Sequence, residues 1–554
     1  MKSVSDWLLI FVGKEDFMKS ITLVACNAKY CHTSLAVRSI GAACEERGIP
    51  VIILEHSVNE PFRQIMQSIL ACESDIYAFS CYLWNMELVK KICLDLKAVK
   101  PDCKILLGGP EVSFDPESYA FADSVICGEG EVAVPDYVLG RCEGKTIHGV
   151  PLMPLDALPF CYSEADLYAN RHRLLYYESS RGCPYACSYC LSSIEKGVRF
   201  KSVEKVCAEL RKFDDAKVDL VKFVDRTFNA DSARALAIWK YAAEECHHTK
   251  FHFELAGELL GEEELMYLQT VPKGKFQFEI GIQSTFPETL RAVCRDADTR
   301  VLFENIRRLV EMGNIHVHTD LIAGLPYESY AIFKTSFNDT YALMADCLQL
   351  GFLKLLKGSK IREEAEAFQY RFSAAPPYTI YENAFISAEE IFRLEKVAEA
   401  VERFYNSHAF EKSIACAISR FSSPFDFYEA LSKRFDDMSA VAQKKLYEIL
   451  YAFYTEHFGA DTLFAEYLKF DWVQQTKGAL VPAYMGSMDT LQPVLFQLLE
   501  KEEFKEKYLP EFTDVKNKEV IKHVFIRKFQ LPEEKVYLFY EDRVTDITAE
   551  YAQI

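Results

Sequence analysis

Three closely spaced cysteines constrain this chain more than any other feature. Cys183, Cys187 and Cys190 lie in the segment Arg-Gly-Cys-Pro-Tyr-Ala-Cys-Ser-Tyr-Cys-Leu, with C-x3-C-x2-C spacing. Thiolates at this spacing can ligate three irons of a 4Fe-4S cluster from one loop, which leaves the fourth iron open to a small chelating molecule. The alternatives are three buried cysteines or a zinc knuckle. Zinc needs a fourth ligand, and no His or Cys follows within the segment, so the spacing favours the cluster.

The residues around the cysteines strengthen this interpretation. Arg181 and Gly182 precede the first cysteine, and Tyr189 precedes the last. Together with the cysteines they resemble the signature of radical S-adenosylmethionine (SAM) enzymes. The resemblance implies a reduced cluster that binds SAM at its open iron and breaks the sulfonium C–S bond. The 5′-deoxyadenosyl radical then abstracts hydrogen from an unactivated carbon, with an electron supplied by a flavodoxin- or ferredoxin-type donor.

Composition limits where the protein works. Half of the 554 residues are hydrophobic and 26% are charged, which supplies a large core and argues against disorder. No apolar run reaches the roughly 18 residues of a membrane span, so no membrane insertion is expected. The 18 cysteines then indicate a reducing cytosol and a cytoplasmic location. A net charge of −19 disfavours nonspecific nucleic-acid binding but leaves a local basic groove open.

The chain divides into five predicted segments, which are a non-native leader (1–17), a Rossmann-like domain (18–150), a linker (151–165), a partial barrel (166–375) and an all-α domain (376–554). The leader is inferred because the residues before Met18 can be encoded as a ribosome-binding sequence. Prolines punctuate the linker, and Pro376-Pro377 marks the last boundary. Apolar periodicity in the last segment predicts helices at Ser387–Asn406, Lys444–Phe458 and Thr490–Tyr508.

Glycine turns follow two predicted strands of the first domain. These are Gly108-Gly109-Pro110-Glu111 and Gly128-Glu129-Gly130-Glu131. Ligands of open parallel sheets lie at this carboxyl edge, although ordinary Rossmann-like folds have such turns too. Ser80 and the two glycine turns precede the cysteine loop in the sequence. In this arrangement they resemble the cobalamin-binding domain of B12-dependent radical SAM enzymes. The resemblance implies that the cobalamin contacts come from Ser80, Gly108, Gly109, Gly128 and Glu129.

One stretch departs from the pattern of cobalamin proteins. Many of them use Asp-x-His-x-x-Gly after the first strand to supply an axial histidine, whereas this chain has Tyr30-Cys31-His32-Thr33-Ser34-Leu35. Both the Asp and the Gly are missing. We therefore expect Tyr30 and His32 to line the corrin pocket, with cobalamin bound without a histidine ligand to cobalt. The alternative for His32 is a hydrogen bond at the start of a helix.

The barrel segment contains about six βα units, with strands predicted at 174–178, 220–224, 251–255, 276–280, 316–322 and 347–355. This number matches the partial (β/α)6 barrel of radical SAM cores, in which sites form at the carboxyl ends of the strands.

The barrel also resembles oxygen-independent coproporphyrinogen dehydrogenase and its relatives. That resemblance implies SAM contacts from Tyr189, Asp225 (amino group), Glu254, Gln283, Ser284 and Asp320 (ribose side), and Arg295 (carboxylate). The glycines of the usual motif at Asp225 are missing.

Three classes of function compete. The first is a cobalamin-dependent radical methylase that acts on an unactivated carbon. The second is a cobalamin-dependent radical enzyme that rearranges, cyclises or reduces its substrate without net methyl transfer. The third is a methylthiotransferase of tRNA or ribosomal protein, but that family needs three cluster-binding cysteines in its N-terminal domain, a pattern that is missing here. The substrate is open between a peptide, a tRNA base, a lipid and a small metabolite.

Overall fold

The computed structural model describes residues 19–194, 196–295, 297–434, 441–478, 480–488 and 491–554. The predicted leader at 1–17 lies outside the described residues. Two compact units are present: one runs up to Gly281 and includes Glu288–Val317 and Phe352–Ala384, and the other contains Ile282–Pro287, His318–Gly351 and Phe385–Ile554. Among the described residues, no helix is long and apolar enough to cross a membrane.

The N-terminal part is a doubly wound parallel sheet, as predicted. Its elements are β1 (Ile21–Asn27), α1 (Leu35–Glu45), β2 (Val51–Ser57), α2 (Phe62–Ala71), β3 (Ile76–Ser80), α3 (Met86–Val99), β4 (Lys104–Gly108), β5 (Ser124–Cys127), α4 (Gly130–Val138) and β6 (Thr146–His148). The strands pair in parallel in the order β2-β1-β3-β4-β5-β6. The order reverses between β1 and β3, and ligands of such sheets bind in the crevice at that point.

The next part carries the second six-stranded sheet. Its elements are α5 (Glu164–Asn170), β7 (Leu174–Tyr177), β8 (Ser180–Cys183), β9 (Gly197–Phe200), α6 (Val203–Asp215), β10 (Leu220–Phe223), α7 (Ser232–Glu244), β11 (Lys250–Leu255), α8 (Glu262–Leu268), β12 (Phe276–Gln283), α9 (Pro287–Ala292), α10 (Thr299–Met312), β13 (His316–Ala323), α11 (Tyr330–Tyr341), β14 (Cys347–Phe352), α12 (Lys360–Glu363) and β15 (Arg371–Phe372). The sheet order is β14-β13-β12-β11-β10-β7, with β7, β10, β11 and β12 parallel. Six strands agree with the predicted partial barrel.

Aromatic side chains build the core between this sheet and its helices. The ring centroids of Phe223 and Phe253 lie 4.6 Å apart, and Trp239 of α7 lies 5.5 Å from Phe278. All four side chains are fully buried. Successive side chains of a strand point to opposite faces of the sheet. The strand residues that flank Phe223, Phe253 and Phe278 in sequence therefore point away from the helices.

The C-terminal part is helical, as predicted, but it is not all-α. Its elements are β16 (Ile380–Glu382), α13 (Ala388–Phe404), α14 (Glu411–Ile418), α15 (Pro424–Ser432), α16 (Gln443–Phe458), α17 (Thr462–Gln475), α18 (Gln492–Leu499), α19 (Glu502–Tyr508), α20 (Asn517–Val520), β17 (Val524–Leu531), β18 (Glu533–Tyr540), β19 (Arg543–Asp546) and α21 (Thr548–Tyr551). Strands β17, β18 and β19 form an antiparallel sheet. Val524 and Ile526 are buried while Phe525 and Arg527 are partly exposed, which is the period-2 pattern of a strand.

Candidate active site

The first cysteine of the motif ends the short strand β8. Gly182 pairs with Val198, and Cys183 pairs with Gly197 of the neighbouring strand β9. Gly182 has a φ of +97°, and a Cβ placed on it would lie 2.2 Å from the carbonyl oxygen of Gly197. Only glycine fits at such a position. The glycine of the Arg-Gly-Cys segment therefore allows the hairpin to close against the cysteine loop.

The three cysteine thiols of the motif differ in exposure. Cys187 is buried, whereas Cys183 and Cys190 are partly exposed, and Sγ of Cys183 lies 3.4 Å from Oγ1 of Thr227. Within the described ranges, no three His, Cys, Asp or Glu side chains converge as ligands of a single metal ion. A zinc knuckle requires such convergence, whereas in a 4Fe-4S cluster each thiolate takes its own iron. The arrangement fits the cluster better than zinc.

Arg295 lies beside the buried cysteine. Its Nη2 donates a hydrogen bond of 2.5 Å to the carbonyl oxygen of Gly281. Its Nε is buried and has no hydrogen-bond partner in the described part of the chain. Burial lowers the pKa of Arg295, but the neighbouring Tyr189 and Cys187 raise that pKa more, so the guanidinium stays charged. A buried guanidinium with an unused donor fits the carboxylate of SAM, which is the predicted partner.

Two tyrosines of the cysteine loop are held by neighbouring side chains. Burial and the adjacent Cys187 raise the pKa of Tyr189, so its phenol stays protonated beside the thiol. The hydroxyl of Tyr185 donates to Oε1 of Glu258 at 2.7 Å. Oε2 of Glu258 is buried and has no hydrogen-bond partner among the residues that the structure describes. The predicted contact between Tyr189 and SAM stays a prediction.

Asp225 connects strand β10 to the start of the hairpin. Its carboxylate is fully buried and accepts hydrogen bonds from the backbone N and Oγ of Ser179, at 2.9 and 2.6 Å, and from Oγ of Ser180 at 2.5 Å. Burial raises the pKa of Asp225. The protein itself thus supplies three donors to this carboxylate, and a contact with the SAM amino group stays a prediction.

Glu254 is more open than Asp225. It lies near the carboxyl end of β11, with Oε1 3.5 Å from Nζ of Lys222 and Oε2 3.8 Å from Nη1 of Arg226. About a quarter of its side chain is exposed, at 23%. Both contacts are longer than a strong hydrogen bond. The carboxylate oxygens therefore keep capacity for hydroxyl donors such as those of the SAM ribose.

The remaining predicted SAM residues lie on β12 and β13. Gln283 ends β12 with a φ of +71°, and Asp320 lies on β13, partly buried. Ser284 is buried, and its hydroxyl donates to Glu328 at 2.5 Å. Ser336 donates to the same carboxylate at 3.1 Å. The Ser284 hydroxyl is therefore engaged in a hydrogen bond to the buried carboxylate of Glu328. The SAM contacts of Gln283, Ser284 and Asp320 stay predictions.

Four predicted cobalamin residues lie together at the carboxyl edge of the first sheet. Ser80 and Gly108 end β3 and β4, and Gly109 and Gly128 follow β4 and β5. A Cβ on Gly109, which has a φ of +111°, would lie 2.6 Å from the carbonyl oxygen of Cys81. A Cβ on Gly108 would meet nothing closer than 3.8 Å. Gly109 is thus required by the packing of the edge, while Gly108 has room for a small side chain.

Aromatic rings lie at the same edge. Trp84 is 45% exposed and stacks on Tyr82 with the ring centroids 4.4 Å apart, and Tyr30 is 80% exposed. A cleft of about 370 Å³ is lined by Lys29, Tyr30, Cys31, Ser57, Asn59 and Glu60. Exposed flat rings at this edge fit a large planar ligand such as the corrin macrocycle.

His32 is held by strand β7 of the second sheet. Its Nδ1 lies 2.6 Å from the hydroxyl of Tyr176. Leu174 donates its backbone N–H to the carbonyl of Cys31 at 3.0 Å, and the hydroxyl of Thr33 donates to the carbonyl of Leu174 at 3.1 Å. Burial lowers the pKa of His32, and nearby lysines and Arg173 lower it further. The imidazole is therefore neutral and engaged through one nitrogen.

Arg181 connects the first sheet to the cysteine loop, a role that the sequence did not reveal. Its Nη1 lies 2.9 Å from Glu129, its Nη2 lies 2.5 Å from Glu131, and its Nε donates to Glu178 at 2.9 Å. Glu129, predicted as a cobalamin contact, also accepts hydrogen bonds from Arg199 and from the backbone N of Leu152. The one available signal was the pair of glutamates in Gly128-Glu129-Gly130-Glu131, two carboxylates that need a cation when buried.

Three family models match successive parts of the chain. A B12 binding domain matches residues 21–138, the radical SAM superfamily matches residues 177–339, and a protein of unknown function (DUF4080) matches residues 366–541. The chain carries a B12-binding domain followed by a radical SAM domain. The predicted recognition is thereby confirmed, and so are the predicted cofactors: a 4Fe-4S cluster and SAM for the radical SAM domain, and cobalamin for the B12-binding domain.

Curated relatives match only part of the chain. The chain is 27% identical over 307 residues to a 2-(S-pantetheinyl)-carbapenam-3-carboxylate methyltransferase of Streptantibioticus cattleyicolor, covering 47% of this chain and 44% of the relative. It is 25% identical over 378 residues to the cobalamin-dependent radical SAM methyltransferase TokK of Streptomyces tokunonensis, covering 59% and 54%. The chain thus spans about half the length of the curated relatives it matches.

A solved structure shares the fold of this chain over most of both proteins. The cobalamin-dependent S-adenosylmethionine radical enzyme OxsB, with aqua-cobalamin and S-adenosylmethionine bound, superposes with a TM-score of 0.60 at 13% identity. The match covers 84% of this chain and 82% of OxsB. At this identity the likeness shows the fold alone.

Proposed function

We propose that this chain is a cobalamin-dependent radical SAM methyltransferase that methylates an unactivated carbon of its substrate. The observation that carries the proposal is Arg181, which joins Glu129 and Glu131 of the B12-binding domain to the loop of Cys183. Through it the cobalamin edge and the cysteine loop are neighbours within one compact unit. The methyltransferase names of the two curated relatives support methyl transfer over the other cobalamin-dependent reactions.

In this proposal the bound cofactors supply a carbon-centred radical and a transferable methyl group. The residues of the chain hold and orient them. Cys183, Cys187 and Cys190 ligate the cluster, and Arg295 pairs with the SAM carboxylate through its unused Nε. Glu254 accepts hydrogen bonds from the SAM ribose. The surrounding protein keeps the radical away from unintended hydrogen donors and limits side reactions.

The proposal includes an electron donor of the flavodoxin or ferredoxin type, because the cluster must be reduced before each SAM cleavage. It also includes a cytoplasmic location. All 18 cysteines are free thiols in the structure, which supports a reducing compartment.

Methyl transfer from labelled SAM tests the proposal. The anaerobically reconstituted enzyme, loaded with cobalamin and a reductant, is incubated with methyl-labelled SAM and fractions of cells that make the protein naturally. We expect both 5′-deoxyadenosine and a labelled methyl product. Formation of 5′-deoxyadenosine that depends on a cell fraction, without label in any product, would contradict methyl transfer and indicate rearrangement, cyclisation or reduction instead.

A further inference from the structure

A layer of polar side chains crosses the face of the second sheet that points away from the helices. Tyr176, Lys222, His252 and Gln277 lie side by side on β7, β10, β11 and β12 in the strand register. Parallel barrels normally fill their interior with branched apolar side chains. Here the aromatic core lies on the helix side, and the opposite face carries groups that can ionise or donate hydrogen bonds.

The next layer towards the carboxyl ends adds two carboxylates in register, Glu254 and Glu279. Nζ of Lys222 lies 2.8 Å from Oε2 of Glu279, and Nε2 of His252 lies 3.0 Å from the same oxygen. Burial alone would raise the pKa of Glu279, but the hydrogen bond from His252 and the charge of Lys222 lower it to about 2. Glu279 is therefore ionised and fixed in place by two donors.

One oxygen of this carboxylate is unused. Both donors bind Oε2, and Oε1 of Glu279 has no hydrogen-bond partner among the described residues. The Glu279 side chain is 28% exposed, whereas His252 beside it is 9% exposed. A fixed, ionised carboxylate thus presents one acceptor oxygen to the space in front of the sheet.

We infer that Glu279 is a substrate-binding residue that accepts a hydrogen bond from an N–H or O–H group of the substrate. The substrate part that enters the barrel is then a polar group, such as an amine, amide or hydroxyl, and not a hydrocarbon. A hydrocarbon laid over this face would remove water from Glu279 and Lys222 without replacing its hydrogen bonds, which is unfavourable for ionised groups. The inference rests on the proposed function, because it assigns a substrate to the same barrel.

The first test needs only the wild-type chain. The reconstituted holoenzyme with cobalamin, SAM and reductant is given either an aqueous extract or a chloroform–methanol lipid extract of cells that make the protein. The formation of 5′-deoxyadenosine is measured, because it reports hydrogen abstraction whether or not a methyl group follows. We expect the aqueous extract to stimulate it several-fold and the lipid extract to leave it at the background rate.

The second test asks whether Glu279 acts directly. With the stimulating extract, Glu279→Gln should raise the half-saturating amount of extract at least tenfold. The matched control is Glu262→Gln, whose carboxylate is 67% exposed and pairs with Arg308 on the surface. The control should saturate like the wild type.

Three results would overturn the inference: stimulation by the lipid extract alone, no stimulation by the aqueous extract, or unchanged saturation in Glu279→Gln. The comparison of the two extracts uses only the wild-type protein, so it tests the inference even if Glu279→Gln folds poorly. Stimulated 5′-deoxyadenosine without a methylated product would instead contradict the proposed methyl transfer and leave the inference on polar substrates intact.

Discussion

Nη2 of Arg181 lies 2.5 Å from Oε1 of Glu131, so a residue of the Arg-Gly-Cys segment is paired with a residue of the glycine turn that follows β5. The pair is well shielded, with 14% of the Arg181 side chain and 9% of the Glu131 side chain exposed. Burial raises the pKa of Glu131, but Arg181 lowers it more, so the pair is ionised. This contact fixes the cysteine loop relative to the B12-binding domain.

We expect Arg181→Gln to loosen that connection. Removing one partner of a buried ion pair costs about 3–5 kcal/mol, because the carboxylates are left unpaired. The measurement is the magnetic coupling between cob(II)alamin and the reduced cluster in electron paramagnetic resonance spectra of the loaded protein. The coupling should become weaker or more heterogeneous in Arg181→Gln and be partly restored in Arg181→Lys. Arg308→Gln, which removes an exposed pair with Glu262, is the control. An unchanged coupling in Arg181→Gln would show that the ion pair does not set the distance.

Arg295→Ala should weaken SAM binding by roughly 2–5 kcal/mol, since much of that loss comes from leaving a buried carboxylate without its partner. Equilibrium binding of SAM to the reconstituted protein measures it. The matched control is Arg300→Ala, five residues further along, whose side chain is 92% exposed. Equal affinity in Arg295→Ala and wild type would remove Arg295 from the SAM site.

His32→Ala should leave the visible spectrum of bound cobalamin unaltered. The imidazole is engaged by Tyr176 at 2.6 Å and lacks the Asp that usually orients an axial histidine. Electron paramagnetic resonance of bound cob(II)alamin provides the measurement, with Tyr176→Phe as the companion variant. Nitrogen superhyperfine splitting that disappears in His32→Ala would identify His32 as the axial ligand and contradict the expectation.

Glu328→Gln should stabilise the apoprotein above neutral pH. Burial raises the pKa of Glu328 to about 7 despite hydrogen bonds from Ser284 and Ser336. Because this folded-state pKa lies above the unfolded value, the stability that Glu328 contributes is present at low pH and is lost as the pH rises towards 7. The full loss is about 3 kcal/mol.

The apoprotein Tm measures this effect. Glu328→Gln should melt above the wild type at pH 8, with a difference that shrinks towards pH 5, because Gln keeps the hydrogen bonds without the charge. Glu304→Gln, at a site 62% exposed, should show no such trend. A lower Tm for Glu328→Gln at pH 8 would mean that the carboxylate is needed in its charged form.

The strands could be predicted from the sequence because each is a short apolar run with a glycine or polar turn behind it. The strands predicted at 251–255 and 316–322 agree with β11 and β13 to within one residue at each end. β6 (Thr146–His148) was missed, since three residues carry no periodicity. The predicted helix Thr490–Tyr508 is two helices, because Lys501 takes an extended conformation and caps the second one. The hairpin at β17 and β18 was missed because its tight turn at Pro532 lacks the Asn-Gly or Asp-Gly signal.

Roles that depend on partners distant in the sequence could not be predicted. Asp225 was placed correctly after β10, but its partners Ser179 and Ser180 are more than forty residues away. Glu129 was taken as a cobalamin contact because of its turn, while the cation that binds it sits in the cysteine motif. Motif spacing predicts the position of such residues along the chain. Only the fold shows which charged side chains form ion pairs or hydrogen bonds with them. The predicted domain boundaries at 150, 165 and 375 stay predictions.

Iron content measured together with 5′-deoxyadenosine formation tests the central claim most directly. Anaerobically reconstituted wild-type protein should carry about four irons and cleave SAM when reduced. The variant with Cys183, Cys187 and Cys190 all changed to Ala should have neither the iron nor the cleavage, while Cys207→Ala, on α6, should retain both. Full iron content or SAM cleavage in the triple variant would contradict the assignment of this loop as the cluster site.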